Sequence, residues 1–434
     1  MITLEALALL VLGLLGGRMA SGGFTGDYFN VSKEFMLKWG LTPAGFFVDI
    51  IAIFSFLGAL WLAHRGWTER QKYHYVLVCG GLMVAALFMF LFIGRISYGS
   101  TYGSHDGVIQ SEVAAQMLIN GVNPYAASFV GTPFEFFHPP RFGQAISPVL
   151  SHYAYPPLVI LAYVPSALWA QISYWPIDGR EMTTLAFIVL VIILLRAGKS
   201  LVYKTWMAMF LLVTPLVTLY PLIGFNDIFF LLAIVGSALL ARRKHWIVAG
   251  ALLGLAAVSK QTAFIAWPLW AWWLLQEVRQ HHLPKEIAWK SLGWMVGVAI
   301  LIYLPFIIWN AGALYDDVIH YVSGVVPYTY PIGGDSLYQF SVLLKLVPDA
   351  WAPTRPFIGL VIAALISFPI GAFWIRRRPT ASQWLTSLVL ITFFVSLANR
   401  YLYENYVAGL VLLAGVSFGL QWLEKNEDIA SKSS

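Results

Sequence analysis

The sequence predicts an all-α fold, a polytopic transmembrane helical bundle of about twelve spans, and three observations carry that expectation. Charged residues make up 11% of the 434 and apolar ones 59%, against roughly 25% and 45–50% in an ordinary soluble chain. Apolar runs recur from end to end, close to the length that crosses a hydrocarbon core of about 30 Å. The basic residues gather in short connections between those runs, so the formal net charge of +6 reads as an orientation signal and not as a nucleic-acid footprint. Each run is expected to be helical, because lipid offers no partner to an unpaired backbone amide.

Thirteen apolar segments can be marked, at about 2–17, 44–63, 74–94, 155–174, 182–196, 204–221, 226–241, 246–259, 261–276, 291–309, 356–375, 382–398 and 405–422. The first has no basic residue before it and reads as a retained helix, not a signal peptide. Clusters at Arg65/Arg70/Lys72, Arg196/Lys199/Lys204, Arg242/Arg243/Lys244, Arg279/Lys285/Lys290 and Arg376/Arg377/Arg378 place their connections in the cytoplasm. The opposite face then carries the long loops 95–154 and 310–355 and the turns at Asn226 and Asn399. With Asp106 outside and Lys199 inside, an odd number of crossings must separate them, yet only two segments do. A segment that dips without crossing, either 155–174 with its central Pro165 or a piece of 107–153, would reconcile the count. The single cysteine, Cys79, precludes an internal disulfide framework.

The loop after the third segment holds the first chemistry-bearing group. It reads Arg95-Ile-Ser-Tyr-Gly-Ser-Thr-Tyr-Gly-Ser-His105-Asp106-Gly107. From Val108 to Ile119, apolar Val108, Ile109, Val113, Ala114, Met117 and Leu118 share one helical face, and Gln110, Ser111, Glu112 and Gln116 leave the other polar. That pattern predicts a short interfacial helix at the membrane surface, ended by Gly121 and the Asn123-Pro-Tyr125 turn. Asp106 stands at its amino end, where an aspartate also serves simply as a cap. The chain returns to the membrane through Tyr153-Ala-Tyr155-Pro156-Pro157-Leu158.

This order of features resembles the GT-C superfamily of membrane glycosyltransferases: an Asp in the first large external loop, a short amphipathic helix, Gly-x-Asn-Pro-Tyr, then Tyr-x-Tyr-Pro-Pro-Leu. It is most similar to bacterial polyprenyl-phosphate-mannose-dependent mannosyltransferases. Gly224-Phe-Asn226-Asp227, and Gly250-x3-Gly254-Leu-Ala-x2-Ser-Lys260-Gln261 followed by Trp267-Pro268, agree with it. The resemblance covers roughly residues 90–410. It implies additional N-terminal transmembrane helices over 1–73, a GT-C-like catalytic module over 74–310, an external substrate loop over 311–355, and C-terminal transmembrane helices with a short cytoplasmic tail over 356–434.

The resemblance implies a sugar, mannose by the closest similarity, carried on a polyprenyl phosphate and transferred with inversion to a lipid or glycan acceptor outside the cytoplasm, in a bacterial plasma membrane. Asp106 matches the catalytic aspartate, a base for an acceptor hydroxyl. A phosphate leaving group needs positive charge, and Lys260, Arg400 and Arg95 are the candidates. Cations away from cytoplasmic loops are functional candidates, although Lys260 and Arg400 would also suit headgroup contacts. His105, Glu112, Tyr155, Asn226, Asp227, His320, Tyr330 and Asp335 are candidates for substrate binding. His320 also reads as an ordinary loop histidine, and the tyrosines as an interfacial belt. No cofactor is expected. Asp106, Glu112 and Asp227 lack a diagnostic metal spacing, so a divalent ion is possible by residue type but not favoured. The competing class is a transporter or lipid flippase, which would place ionisable residues within its helices; here Asp49 is one of few. A surface-polysaccharide ligase or polymerase is the second enzymatic rival. Partners are the lipid-linked sugar, the acceptor and membrane lipid, with no nucleic acid and no predicted oligomeric state.

Overall fold

A computed structural model describes residues 66–138, 147–173, 175–325, 329, 331–354 and 356–433, together with Phe54, Ser55, Leu57, Gly58 and Trp61. The segment at 2–17, most of that at 44–63, Asp49 and Tyr330 lie outside the described residues. The described chain is almost wholly helical. It divides into two compact units, one of residues 1–109 with 174–225 and one of 110–173 with 226–434.

In the first unit, α1 (Glu69–Tyr98) starts on a capping box in which Thr68 and Gln71 satisfy each other's backbone amides. It packs on α5 (Leu201–Val213), where Gly80 meets Leu212. Between them in sequence, α4 (Arg180–Ala197) packs on α5 and on α6 (Pro215–Leu222). The 204–221 segment, expected as one span, is this bent pair, turned by 56° at Thr214. The residue before a proline avoids the α region, and Thr214 sits at φ −80°, ψ 110° with Pro215 opening the next helix.

α2 (Asp106–Ile119) begins in the first unit and continues in the second. Its surroundings correct the interfacial expectation. Residues 107–115 are buried without interruption, and the supposed water-facing Gln110, Ser111 and Glu112 are 5%, 0% and 2% exposed. The polar face is matched by protein: Gln110 Nε2 donates to the His152 carbonyl at 2.7 Å, and Ser111 Oγ accepts from Tyr153 and Asn226. Of the four residues on that polar face, Gln116 alone is exposed.

The second unit continues with α3 (Pro157–Ser173), unbroken through Pro165, then α7 (Asp227–Arg242), α8 (Trp246–Ala257) and α9 (Ala266–Arg279). α10 (Lys285–Tyr315) leaves helical geometry at Asn310 (φ −163°, ψ 91°), a kink after which the helix resumes to Tyr315. A π-helical turn over Asp316–His320 follows, then α11 (Leu337–Leu343), α12 (Pro356–Arg377), α13 (Ala381–Leu397) and α14 (Glu404–Ser433). Among the described residues there is one sheet, β1 (Gly333–Gly334) parallel to β2 (Tyr401–Leu402). α8 packs on α7 and α10, and α13 on α12 and α14. Trp246, Trp270, Trp273 and Trp384 form a buried aromatic core with ring centroids 5.1–5.8 Å apart.

The α8–α10 seam is close because Gly250 faces the Ser291 carbonyl and Gly254 the Met295 carbonyl. Small residues four apart let backbones approach in this way. Gly254→Leu is therefore expected to destabilise the protein by about 3 kcal/mol, at the upper end for overpacking. Gly293→Leu on α10, with nothing within 4 Å of its would-be Cβ, should leave the thermal midpoint in detergent unchanged. Equal midpoints for the two variants would refute the close seam.

Among the described residues four helical stretches are long and apolar enough to cross a membrane: Glu69–Tyr98, Lys285–Ser323, Gly359–Arg377 and Glu404–Glu427. The bent α5–α6 pair makes a fifth if counted as one. α3, α8 and α13 are apolar but shorter. The 12 residues of α8 rise only about 18 Å. The about twelve spans expected from the sequence, thirteen apolar runs less one that dips, are thus not reached by length and composition among the described residues. With four to five long apolar helices, the chain is an integral membrane protein.

Candidate functional site

Lys260 is the centre of the second unit's polar cluster. It follows α8 with extended backbone (φ −151°, ψ 130°) and opens a short 3-10 turn over Gln261–Ile265. Its ammonium lies 2.8 Å from Asp227 Oδ1, 4.7 Å from the Tyr406 ring centroid and 6.0 Å from that of Tyr155. Asn405 Nδ2 donates to Asp227 Oδ2 at 2.8 Å. Asp227 is the first residue of α7, so the helix dipole favours its charge. Lys260 and Asp227 are each 9% exposed, and a buried ion pair of this kind needs its extra hydrogen bond and aromatic walls to persist. A narrow, mostly apolar crevice touches Asp227, Asn405 and Tyr406 of this cluster and is lined further by Phe230 and Ile234 of α7, Leu388 of α13 and Leu410 of α14.

A second network fixes the neighbouring wall. Asn226 donates to Ser111 Oγ at 3.2 Å and accepts from the Tyr163 hydroxyl, and Tyr153 donates to the same Ser111 at 3.1 Å. Burial pushes the Tyr153 hydroxyl pKa well up, more than its bond to Ser111 lowers it, so Tyr153 stays a neutral donor. Every residue of 152–155 is held. His152 and the Tyr153 amide meet Asp317, the Ala154 carbonyl accepts from Gln261, and the Tyr155 carbonyl accepts from the Tyr125 hydroxyl. Tyr155 therefore faces Lys260 on a rigid segment.

In the first unit, Asp106 opens α2 and its side chain is 31% exposed. Its Oδ1 accepts from the Gly107 amide at 2.6 Å and lies 3.0 Å from His105 Nδ1. The loop before it is pinned by Arg180, which donates to the carbonyls of Leu91, Tyr102 and Gly103 and to both oxygens of Asp178. His105 donates its amide to Ile223 at 3.0 Å and stacks on Phe225 with centroids 3.8 Å apart. Burial alone would raise the Asp178 pKa; the hydrogen bonds and charge of Arg180, with the charge of Arg95, hold it below its ordinary value.

The other sequence candidates have more structural settings. Arg95 is 2% exposed and donates to Asp178 at 3.0 Å. Arg400 is fully buried and donates to the Gly324, Ala350 and Ala352 carbonyls and to Thr354 Oγ1. Burial draws its pKa down, while Tyr401 and its tyrosine neighbours act the other way. Glu112 is buried on α2. His320 pairs with Asp316 at 2.8 Å, and Asp335 is exposed beside β1. The structure thus brings together Lys260, Asp227, Tyr155 and Asn226 with their networks. Arg180, Asn405, Tyr406 and His152 were not singled out from sequence. Asn405-Tyr406 at the start of the last apolar run was the nearest legible signal.

No curated protein and no solved structure matches the chain. A family model for glycosyltransferase family 87 matches residues 153–399, which takes in the Tyr153–Leu158 entry, Asn226–Asp227, Lys260–Gln261 and the 310–355 loop. Asp106 lies upstream of the match and Arg400 immediately after it. The matched stretch is more than half of the 434 residues, and on that ground the chain belongs to glycosyltransferase family 87.

Proposed function

We propose that this glycosyltransferase moves mannose from a polyprenyl-phosphate donor to a glycolipid or glycan acceptor on the non-cytoplasmic face of a bacterial plasma membrane, inverting the anomeric centre. The observation that carries the donor class is Lys260: a buried ammonium paired with Asp227 and set over two aromatic rings, with Asp227 and Tyr406 themselves lining an apolar crevice. A phosphate takes a share of the ammonium's three donors, and a prenyl chain suits apolar walls. In this reading the leaving-group charge is met by Lys260 and not by a metal ion. Asp106, accessible at the start of α2, takes the acceptor hydroxyl's proton as the oxygen attacks the anomeric carbon. The C–O bond to the lipid phosphate breaks as the new glycosidic bond forms, and the lipid phosphate leaves as the anion.

The test uses membranes containing the protein, short-chain polyprenyl-phosphate-mannose and total lipid extract from the native source, with mass spectrometry following donor loss and any lipid that gains one hexose. Gain of hexose with retention of donor by protein-free membranes is the expected result. Donor binding without consumption would show that the sugar is wrong; absence of binding would remove the donor class. Lys260→Ala should weaken donor binding at least tenfold while the thermal midpoint shifts little more than for Lys260→Met. Unchanged donor affinity would make Lys260 a purely structural partner of Asp227.

A further inference from the structure

The transfer reading leaves one group of metal-ligating side chains unused, where the π-helical turn after α10 meets the segment leading into α3. His152 Nδ1 lies 2.8 Å from Asp317 Oδ1 and 3.6 Å from Asp316 Oδ2, and one donor atom from each residue falls within 4.8 Å of the others. We propose that His152, Asp316 and Asp317 form a divalent-cation site, suited to Zn2+ or Mn2+, that fastens the 152–155 segment to the end of α10.

Ligand atoms around a tetrahedral ion at about 2.0–2.2 Å stand roughly 3.3–3.6 Å from one another. The two separations from His152, 2.8 and 3.6 Å, bracket that range, and the carboxylate oxygens lie within 4.8 Å of each other. The charge also fits. A neutral imidazole offers one proton at Nδ1, which can serve one carboxylate but not two; a dication balances both. The imidazole among the ligands favours borderline Zn2+ first and Mn2+ after it over Mg2+, which keeps its waters and prefers oxygen.

The surroundings fix each ligand. The His152 ring stacks on Tyr321 at 4.2 Å and 13°, and its carbonyl is held by Gln110. Asp317 is 2% exposed and its Oδ2 accepts from the Tyr153 amide at 2.8 Å, which aims Oδ1 at His152. Asp316 is 48% exposed, leaving an entry path, and its other oxygen lies 2.8 Å from His320 Nδ1, the partner a ligating carboxylate needs. The π turn is an independent pointer: it places 316, 317 and 320 around one locus, and such turns are frequent at functional sites. The inference goes beyond glycosyl transfer, since the role given to the ion is to hold the wall that carries Tyr155.

The purified full-length protein in detergent is stripped with chelator and titrated with Zn2+, Mn2+ and Mg2+. Bound metal is measured by mass spectrometry after desalting, and unfolding is followed by heating. One equivalent of Zn2+ or Mn2+ per chain and a midpoint raised by several degrees are expected, with Mg2+ at least tenfold weaker. Asp316→Asn, at a half-exposed position that should fold, is expected to weaken binding at least a hundredfold, and His320→Gln about tenfold. Substoichiometric metal on the wild type, or wild-type affinity in Asp316→Asn, overturns the site. Stoichiometric binding by a chain that transfers no sugar would overturn the proposed function and leave this site standing.

Discussion

Asp106→Asn is expected to lower turnover by about 10²–10⁴-fold, the usual contribution of a positioned general base, while donor affinity and the thermal midpoint stay within error of wild type. The carboxamide oxygen can still accept from the Gly107 amide, which the native Oδ1 does at 2.6 Å, so the start of α2 is preserved. The position is partly open and the change nearly isosteric, which separates loss of chemistry from loss of fold. Single-turnover transfer with labelled donor, alongside an equilibrium donor-binding measurement, checks both halves. Turnover above about a tenth of wild type would remove Asp106 as the base.

Arg180→Met should be the most damaging single change to the first unit, costing about 3–5 kcal/mol, the range for breaking a buried, hydrogen-bonded ion pair from one side. The native guanidinium is fully buried, engages Asp178 on both oxygens and holds three carbonyls, two of them in the loop that delivers His105 and Asp106. Methionine fills much of the space but donates nothing, leaving those carbonyls without a charged donor. The expected readout is a large drop in thermal midpoint, with turnover falling in whatever folded fraction remains because the loop loses its anchor. The wild-type pair carries a pH signature of defined sign. Asp178 is held below its ordinary pKa, so its stabilisation is complete above about pH 4–5 and declines only as the pH falls through the depressed value. A midpoint already declining between pH 7 and 6 would place the responsible group elsewhere.

The helices were largely legible in the sequence because each apolar run was bounded by polar or proline positions, as with Asp227–Arg242 and Ala381–Leu397. Thr214-Pro215 was equally legible as a break, by the rule for residues preceding proline, but a continuous apolar run hid it. What sequence periodicity misread was α2. Its amphipathic pattern has the form of a surface helix, yet the partners of its polar side chains lie 42 residues away at His152 and Tyr153 and 115 away at Asn226. No local pattern encodes such a match. The same distance problem separated Lys260 from Asp227: each was a candidate, but only folding shows that the ammonium's nearest anion is that aspartate. Arg95 and Arg400 drew notice as cations in unusual places. Their guanidinium groups are turned to Asp178 and to loop carbonyls, which sequence position alone does not distinguish from a substrate phosphate.

Arg400 donates to main-chain oxygens at Gly324, Ala350 and Ala352 and to the Thr354 hydroxyl, and its own carbonyl receives the Gly333 amide and the Ser336 hydroxyl. Main-chain oxygens are common to every residue type. A loop moored in this manner can exchange most of its side chains without losing its course, provided Gly324 keeps the left-handed backbone (φ +83°) that leaves room for the guanidinium. Divergent members of one family could therefore alter what this loop touches while inheriting how it runs.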